Sequence, residues 1–172
     1  EISDIVRPQY KEYIRWLKHQ NSVVAKKYWL NYLSGYKPDA TIKNKHISHS
    51  TNSIVSQVKS LIPQDVMQNL LDISRREHIT LNNILQTAWG ITLSNTTRRK
   101  DVIFGSTIFG RPPQIDSVDK MVGLFINTLP LRIKIEEQTN FVEIAKKLQI
   151  DWAEMQEYIY LPLFDIKKQM DY

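Results

Sequence analysis

The run from Asp101 to Ile133, DVIFGSTIFGRPPQIDSVDKMVGLFINTLPLRI, most constrains what this chain can fold into. Val102, Phe104 and Ile108 share one parity in the span Asp101 to Phe109. Leu129, Leu131, Ile133 and Ile135 share one parity in the span Leu129 to Ile135, alternating with Pro130, Arg132 and Lys134. Side chains alternate across a strand with period two, so each span predicts a strand with one apolar face. Gly105 and Gly110 mark places where backbone can approach backbone closely. Arg111-Pro112 ends the first strand rigidly. The stretch before the second strand, around Val122 to Phe125, reads as a short apolar helix or turn.

Apolar strand faces need a covering layer, and the rest of the chain supplies helices. Tyr10, Tyr13, Ile14 and Leu17 recur at helical spacing, and Val24, Tyr28 and Tyr32 continue the pattern beyond Asn21-Ser22. Either Asn21 or Ser22 suits the cap of a second helix, and Gly35 stops it. Residues 37–52 are polar and without period, a loop. Ser53 to Ile62 alternates and reads as a strand that Pro63 ends. A helix follows to Glu77 with Val66, Leu70, Leu71 and Ile73 on one stripe. Thr80 suits the N-cap of another, Leu81 to Asn95, whose dense set (Leu81, Ile84, Leu85, Ala88, Trp89, Thr92, Leu93) predicts burial on most sides. Asn140, with Glu143 three positions later, opens the last long helix. Its buried stripe is Phe141, Ile144, Ala145, Leu148, Trp152 and Met155. Pro162 breaks the pattern, and a short helix runs on to Gln169. The fold class is α/β, helices packed on a mixed sheet.

Composition narrows the function. A chain of 172 residues can build one domain with a hydrophobic core. The absence of Cys excludes a disulfide framework and thiolate chemistry, and fits a cytoplasmic setting. No apolar run approaches the roughly 20 residues of a membrane helix, so no membrane partner is expected. The net charge of +5 suits an acidic partner, or equally a mildly basic surface with no partner. The tightest basic cluster, Arg98-Arg99-Lys100, has no interleaved aromatic residues, so no nucleic-acid platform is expected. Neither G-x-x-x-x-G-K-S/T nor G-x-G-x-x-G occurs, so a nucleotide-binding fold has no support.

The histidines are His19, His46, His49 and His78. His46 and His49 have a spacing that suits two metal ligands, but neither a carboxylate nor a Cys stands nearby, so no metal is expected. His78 reads as a turn residue. Glu136-Glu137 read as solvated acids at a strand end. No G-x-S-x-G elbow occurs and no nucleophile–base pair is evident, so no catalytic residue is assigned.

Three stretches, in order, resemble motifs of nonribosomal peptide synthetase condensation domains. Tyr10-Lys11-Glu12-Tyr13-Ile14-Arg15-Trp16, with Tyr28-Trp29 and Leu33-Ser34-Gly35, is similar to the family's Y-x-D/E-F/Y-A/I-x-W helix and the Y-W and L-x-G that follow. Phe104-Gly105, Gly110-Arg111-Pro112 and the run Val122 to Arg132 resemble F-G, G-R-P and V-G-x-F-I/V-N-T-x-x-x-R; this match is the specific one. Tyr160 to Ile166 resembles the segment before the family's final motif. Phe109 departs from the small hydroxyl residue common before G-R-P, which bears on the acyl chain that fits. Tyr158 stands where some relatives carry a polar residue or His.

The resemblance implies a lobe of the CoA-dependent acyltransferase (chloramphenicol-acetyltransferase) type. On it, residues 1–36 are a helical segment linking two lobes, 37–52 a polar loop and 53–172 the C-terminal lobe, the parent domain being incomplete at both ends. The family's H-H-x-x-x-D-G motif is not among these residues, so this lobe alone would be inactive. The implied reaction joins a carrier-bound acyl or peptidyl donor to a carrier-bound aminoacyl acceptor. The implied partners are upstream and downstream peptidyl carrier proteins, the N-terminal lobe and an adjacent adenylation domain. No cofactor is bound directly; the phosphopantetheine arm belongs to the carriers. Gly105, Ser106, Phe109, Gly110, Arg111, Asn127 and Thr128 would form the substrate channel, and Arg132, Trp16 and Trp29 would be structural, Arg132 pairing with a carboxylate across the lobe interface. Epimerization relatives tend to read G-W-F-T at Gly123, and heterocyclization relatives lose the N-T pair, so Val122 to Arg132 favours ordinary condensation. The alternatives are an epimerization-type relative, a non-catalytic carrier-binding module and a coenzyme A acetyltransferase. The last needs a histidine near the C-terminus that this chain lacks.

Overall fold

A computed structural model describes residues 8–38 and 57–168. Among the described residues there are six α-helices: α1 (Tyr10–Lys18), α2 (Ser22–Leu33), α3 (Gln64–Glu77), α4 (Leu81–Thr97), α5 (Phe141–Met155) and α6 (Leu163–Lys168). Among the described residues two strands, β1 (Asp101–Phe109) and β2 (Ile126–Lys134), pair in one sheet. The chain divides into two compact units, one of residues 1–36, 103–131 and 152–172, the other of 37–102 and 132–151. Among the described residues no helix is long and apolar enough to cross a membrane.

In the first unit the break between α1 and α2 falls at Asn21. Its Oδ1 accepts from the N–H groups of Val23 (3.1 Å) and Val24 (3.2 Å), satisfying donors that an uncapped helix start leaves open. The buried stripe of α2 is Ala25, Trp29 and Leu33. This corrects the expected stripe of Val24, Tyr28 and Tyr32 by one position: Trp29 takes the centre, and the tyrosines stay at the boundary. Gly35 ends the segment with φ of 72°, a conformation that favours glycine.

The second unit packs α3, α4 and α5 around Ile79, Ile84 and Ala145, with Leu70, Ile73, Phe141 and Val142 against them. Thr80 caps α4 as expected, Oγ1 accepting from Asn83 N–H at 3.1 Å. Asn140 and Glu143 cap α5 reciprocally: each side chain accepts the other's backbone N–H at 3.0 Å. Gln149 on α5 fixes the α3–α4 turn, donating to the His78 carbonyl (2.9 Å) and accepting from Thr80 N–H (2.9 Å) and Asn83 Nδ2 (3.0 Å).

Two expectations fail in this unit. Residues 57–62 form no strand, and Val58 and Leu61 are almost fully exposed; residues 53–56 lie outside the described residues. Alternation alone does not make a strand, because a ladder partner must also be present. Helix α4 is not buried on most sides. Asn83, Ile84, Thr87, Gly90, Leu93 and Ser94 are buried, while Leu85 and Trp89 face outward. Gly90 explains the choice of face: a Cβ there would lie 2.3 Å from Ile133 Cδ1, so the helix uses its one side-chain-free position to meet β2 closely.

Helices α3 and α4 end alike, and without glycine. His78 and Arg98 both adopt φ of 56°. Ser74 and Ser94 each accept, at their carbonyls, the N–H five residues on, at 3.1 Å in both cases. Their hydroxyls donate to the carbonyls of Ile79 and Arg99. A left-handed non-glycine residue costs about 1–2 kcal/mol, against a smaller backbone-entropy cost for glycine. His78→Gly is therefore expected to raise stability by about 0.5 kcal/mol and Ser74→Ala to lower it by about 1 kcal/mol in urea denaturation. The opposite order would reject this account of the caps.

Candidate functional site

The strand register organises the candidate site. Gly110 N–H donates to the Phe125 carbonyl (2.7 Å), and Ile135 N–H to the Lys100 carbonyl (2.6 Å), so the strands run antiparallel. In this register Phe109 stands opposite Ile126 and Thr107 opposite Thr128. A Cβ on Gly105 would lie 2.9 Å from Thr128 Cγ2, which puts Gly105 and Thr128 on the same face. One face of the first unit thus carries Gly105, Thr107 and Phe109 beside Ile126, Thr128 and Pro130; the other carries Phe104, Ser106 and Ile108 beside Asn127, Leu129 and Leu131. The second face is covered, and the first is open from Gly105 to Phe109.

The seven expected channel residues therefore separate. Gly105, Phe109 and Thr128 share the open face. Ser106 and Asn127 point to the covered one. Asn127 Nδ2 donates to the carbonyls of Ile159 (2.7 Å) and Leu161 (3.2 Å), and its Oδ1 accepts from Thr128 N–H (2.8 Å). It ties the segment before α6 to β2. Gly110 and Arg111 lie where the chain leaves β1.

Arg111 holds the loop that follows. Its Nη1 donates to the carbonyls of Val118 and Met121, the latter at 2.9 Å. Its guanidinium carbon sits 4.1 Å from the Phe125 ring centroid. The rings of Tyr10 (5.4 Å, near perpendicular) and Tyr13 (4.8 Å) also pack on Phe125. Tyr10 Oη donates to the Leu124 carbonyl at 2.7 Å. A Cβ on Gly123 would fall 2.0 Å from the Tyr10 ring, so only glycine fits there. Trp16 stacks on Tyr13 and meets Tyr160 edge-on, and Tyr160 Oη reaches the Asn21 carbonyl (3.0 Å). Trp29 is buried, donates to the Tyr158 carbonyl (3.3 Å) and packs on Tyr28, which stacks on Tyr158 at 4.3 Å. Sequence reading missed this cluster. Its one signal was Gly123, a glycine between the apolar residues Val122 and Leu124 and two positions before Phe125.

In the second unit, Arg132 Nε and Nη2 donate to Asp101 Oδ1 (2.9 Å) and Oδ2 (2.7 Å), a bidentate pair. The carboxylate expected across a lobe interface is thus on the adjacent strand of this chain. His78 is the turn residue the sequence suggested, and His19 Nδ1 lies 2.7 Å from the Arg15 carbonyl. His46 and His49 fall outside the described residues. Among the described residues no cluster of His, Cys, Asp or Glu is placed to hold a metal. What the first unit offers is an open, uncharged strand face on a rigidly held loop.

The condensation-domain model matches residues 2–172. This chain belongs to the condensation-domain family. It is 36% identical over 98% of its length to gramicidin S synthase 2 of Brevibacillus brevis, and 36% identical over 92% to tyrocidine synthase 3 of Brevibacillus parabrevis. It spans only 4% and 2% of those relatives. A solved structure, the first condensation domain of the calcium-dependent antibiotic synthetase with a substrate analogue, shares the fold at TM-score 0.74 and 14% identity. The match covers 93% of this chain and 36% of that one.

Burial, and then the neighbouring Tyr10, raise the Tyr13 phenol above its ordinary value; burial, and then Tyr158, raise Tyr160 likewise. Folding favours the neutral phenols, so their contribution is complete below pH 10 and is lost as pH rises through the higher folded values. A phenolate absorbance titration is expected to show Tyr13 and Tyr160 ionising late; uniform titration of all tyrosines near 10 would contradict the packing. Arg111→Ala is expected to cost about 2 kcal/mol in chemical denaturation, because it leaves two carbonyls and a ring face without their partner. Arg111→Lys should restore only part of this. Full restoration by lysine would show that charge, not the planar fork, holds the loop.

Proposed function

We propose that this chain is the C-terminal lobe of a condensation domain that forms an amide bond between two carrier-bound substrates. The match over residues 2–172 carries this reading. In the reaction, the amine of an aminoacyl group on one carrier attacks the thioester carbonyl of an acyl or peptidyl group on another. The C–N bond forms, the C–S bond breaks, and a proton leaves nitrogen and ends on the departing sulfur. Both substrates ride on phosphopantetheine arms, so the lobe needs a narrow path rather than a cofactor pocket. The open face offers one: Gly105 has no side chain, and Thr107 and Thr128 are short. Arg111, Phe125 and Asn127 keep that face in register with the loop below it.

Proton handling is assigned to the H-H-x-x-x-D-G segment of an N-terminal lobe. The partners are upstream and downstream carrier proteins and an adenylation domain that loads one of them. The Asn127-Thr128 pair after Gly123-Leu124-Phe125 favours condensation over epimerization. The lack of any nucleophile–base pair among the described residues favours, as second reading, a carrier-binding module without catalysis.

The test uses the protein translated from the whole reading frame that contains these residues, with donor and acceptor carriers loaded separately. Intact-protein mass spectrometry is expected to show the donor acyl group appearing on the acceptor carrier in amide linkage. Carrier binding without transfer would establish the second reading. Neither binding nor transfer would reject both.

A further inference from the structure

The open strand face ends in apolar side chains that the fold of the first unit leaves uncovered. Phe109 is 75% exposed and Ile126, opposite it, is 53% exposed. Opposed residues on antiparallel strands have Cβ atoms about 4.5–5.5 Å apart, so the two side chains stand as a pair across the ladder. Leu124 (71% exposed) and Val122 (74% exposed) extend the exposed apolar surface into the loop. Single exposed apolar residues are ordinary, but a run of four in neighbouring chain segments marks a place where something docks.

Three observations specify the occupant. First, the face has a size gradient: no side chain at Gly105, short hydroxyl-bearing ones at Thr107 and Thr128, then bulk at Phe109 and Ile126. An extended chain fits over the small residues and meets resistance only at the pair. Second, the face carries no charge from Gly105 to Phe109 or from Ile126 to Pro130. Charged groups on a ligand there would lose water and gain no partner. Third, the pair is mounted rigidly: Gly110 N–H is bonded to the Phe125 carbonyl, and Phe125 is held by Arg111, Tyr10 and Tyr13. A rigid wall discriminates by size, where a mobile one would yield.

We infer that Phe109 and Ile126 are specificity-determining residues that select small to medium, uncharged, aliphatic side chains on the arm-bound acyl group. The inference rests on the channel reading above. A branched aliphatic group buries its surface against the pair, and each methylene so buried adds about fourfold in affinity. An aromatic group clashes with Phe109, and a cationic one is left without a counter-charge.

The test measures binding rather than turnover, so that it stands apart from catalysis. The probes are hydrolytically stable pantetheine thioethers bearing alanyl, valyl, leucyl, phenylalanyl and lysyl side chains, each with a free amine and with an acetylated one. Affinities are measured by calorimetry for the full-length protein, Phe109→Ala and Ile126→Ala. Wild type is expected to bind the valyl and leucyl probes about tenfold more tightly than the phenylalanyl and lysyl probes. Phe109→Ala should move the optimum to the phenylalanyl probe, gaining about tenfold there. Ile126→Ala should widen acceptance in the same direction. The free and acetylated series show which substrate's side chain is read.

An unchanged ranking in both variants overturns the inference, as does a wild type that binds no probe. Loss of a dimer in Phe109→Ala, by sedimentation and without change in ranking, also overturns it, making the strip a self-association surface instead. If the ranking shifts while the full-length protein forms no amide bond, the condensation reading fails and the selectivity assignment stands.

Discussion

The ring of Phe125 is the contact on which the first unit depends. It lies between a guanidinium from the end of β1 and two tyrosine rings from α1, and its own carbonyl receives the last hydrogen bond of the strand pair. Three segments far apart in sequence thereby share one side chain. Each interaction alone contributes little: aromatic pairs about 0.5–1.5 kcal/mol, a cation over a ring about 0.5–2. Their value lies in mutual fixation. Arg111 cannot reach the carbonyls of Val118 and Met121 unless the loop folds back over it, and the loop folds back only if Gly123 admits the Tyr10 ring.

This explains why the recognisable motifs are spread along the chain yet specific in type. The tyrosines of the first helix, the G-R-P turn and the V-G-x-F run are pieces of one cluster. A tyrosine is needed at position 10 because its ring packs on Phe125 while its hydroxyl bonds a carbonyl. Glycine is needed at 123 for want of space. Arginine is needed at 111 because a planar fork can bond two carbonyls while its face lies on a ring.

Legibility in the sequence followed the range of the interaction. Caps at Asn21, Thr80 and Asn140 were readable because donor and acceptor lie within three residues. The parity of β1 and β2 was readable because alternation is intrinsic to a strand, although β2 begins at Ile126, ahead of the expected Leu129. The stripe of α2 was misplaced because Tyr and Trp score alike in a periodicity count, and only the packing shows which is buried. The apparent strand at 53–62 failed over 57–62 because its alternation says which side chains a partner would cover, not whether one exists. The contact between Tyr10 and Leu124 joins residues 114 positions apart and had no local signature. Of the candidate channel residues, all seven were found by motif, but only register could divide Gly105, Phe109 and Thr128 from Ser106 and Asn127.

That division changes what the site is. Motif residues at a presumed channel invite the view that each meets the substrate. Here Asn127 and Arg111, the two with the richest hydrogen-bonding capacity, face the interior and hold loops, while the open face is left to glycine, threonine and two apolar side chains. On the reading proposed above, polar groups already paired within the chain would leave an arm on the open face few directional contacts. Selectivity on such a face has to come from shape, because no charge or fixed donor is available to supply it. On that reading, the bulk at Phe109 and Ile126 is the feature of the open face best able to distinguish one acyl group from another.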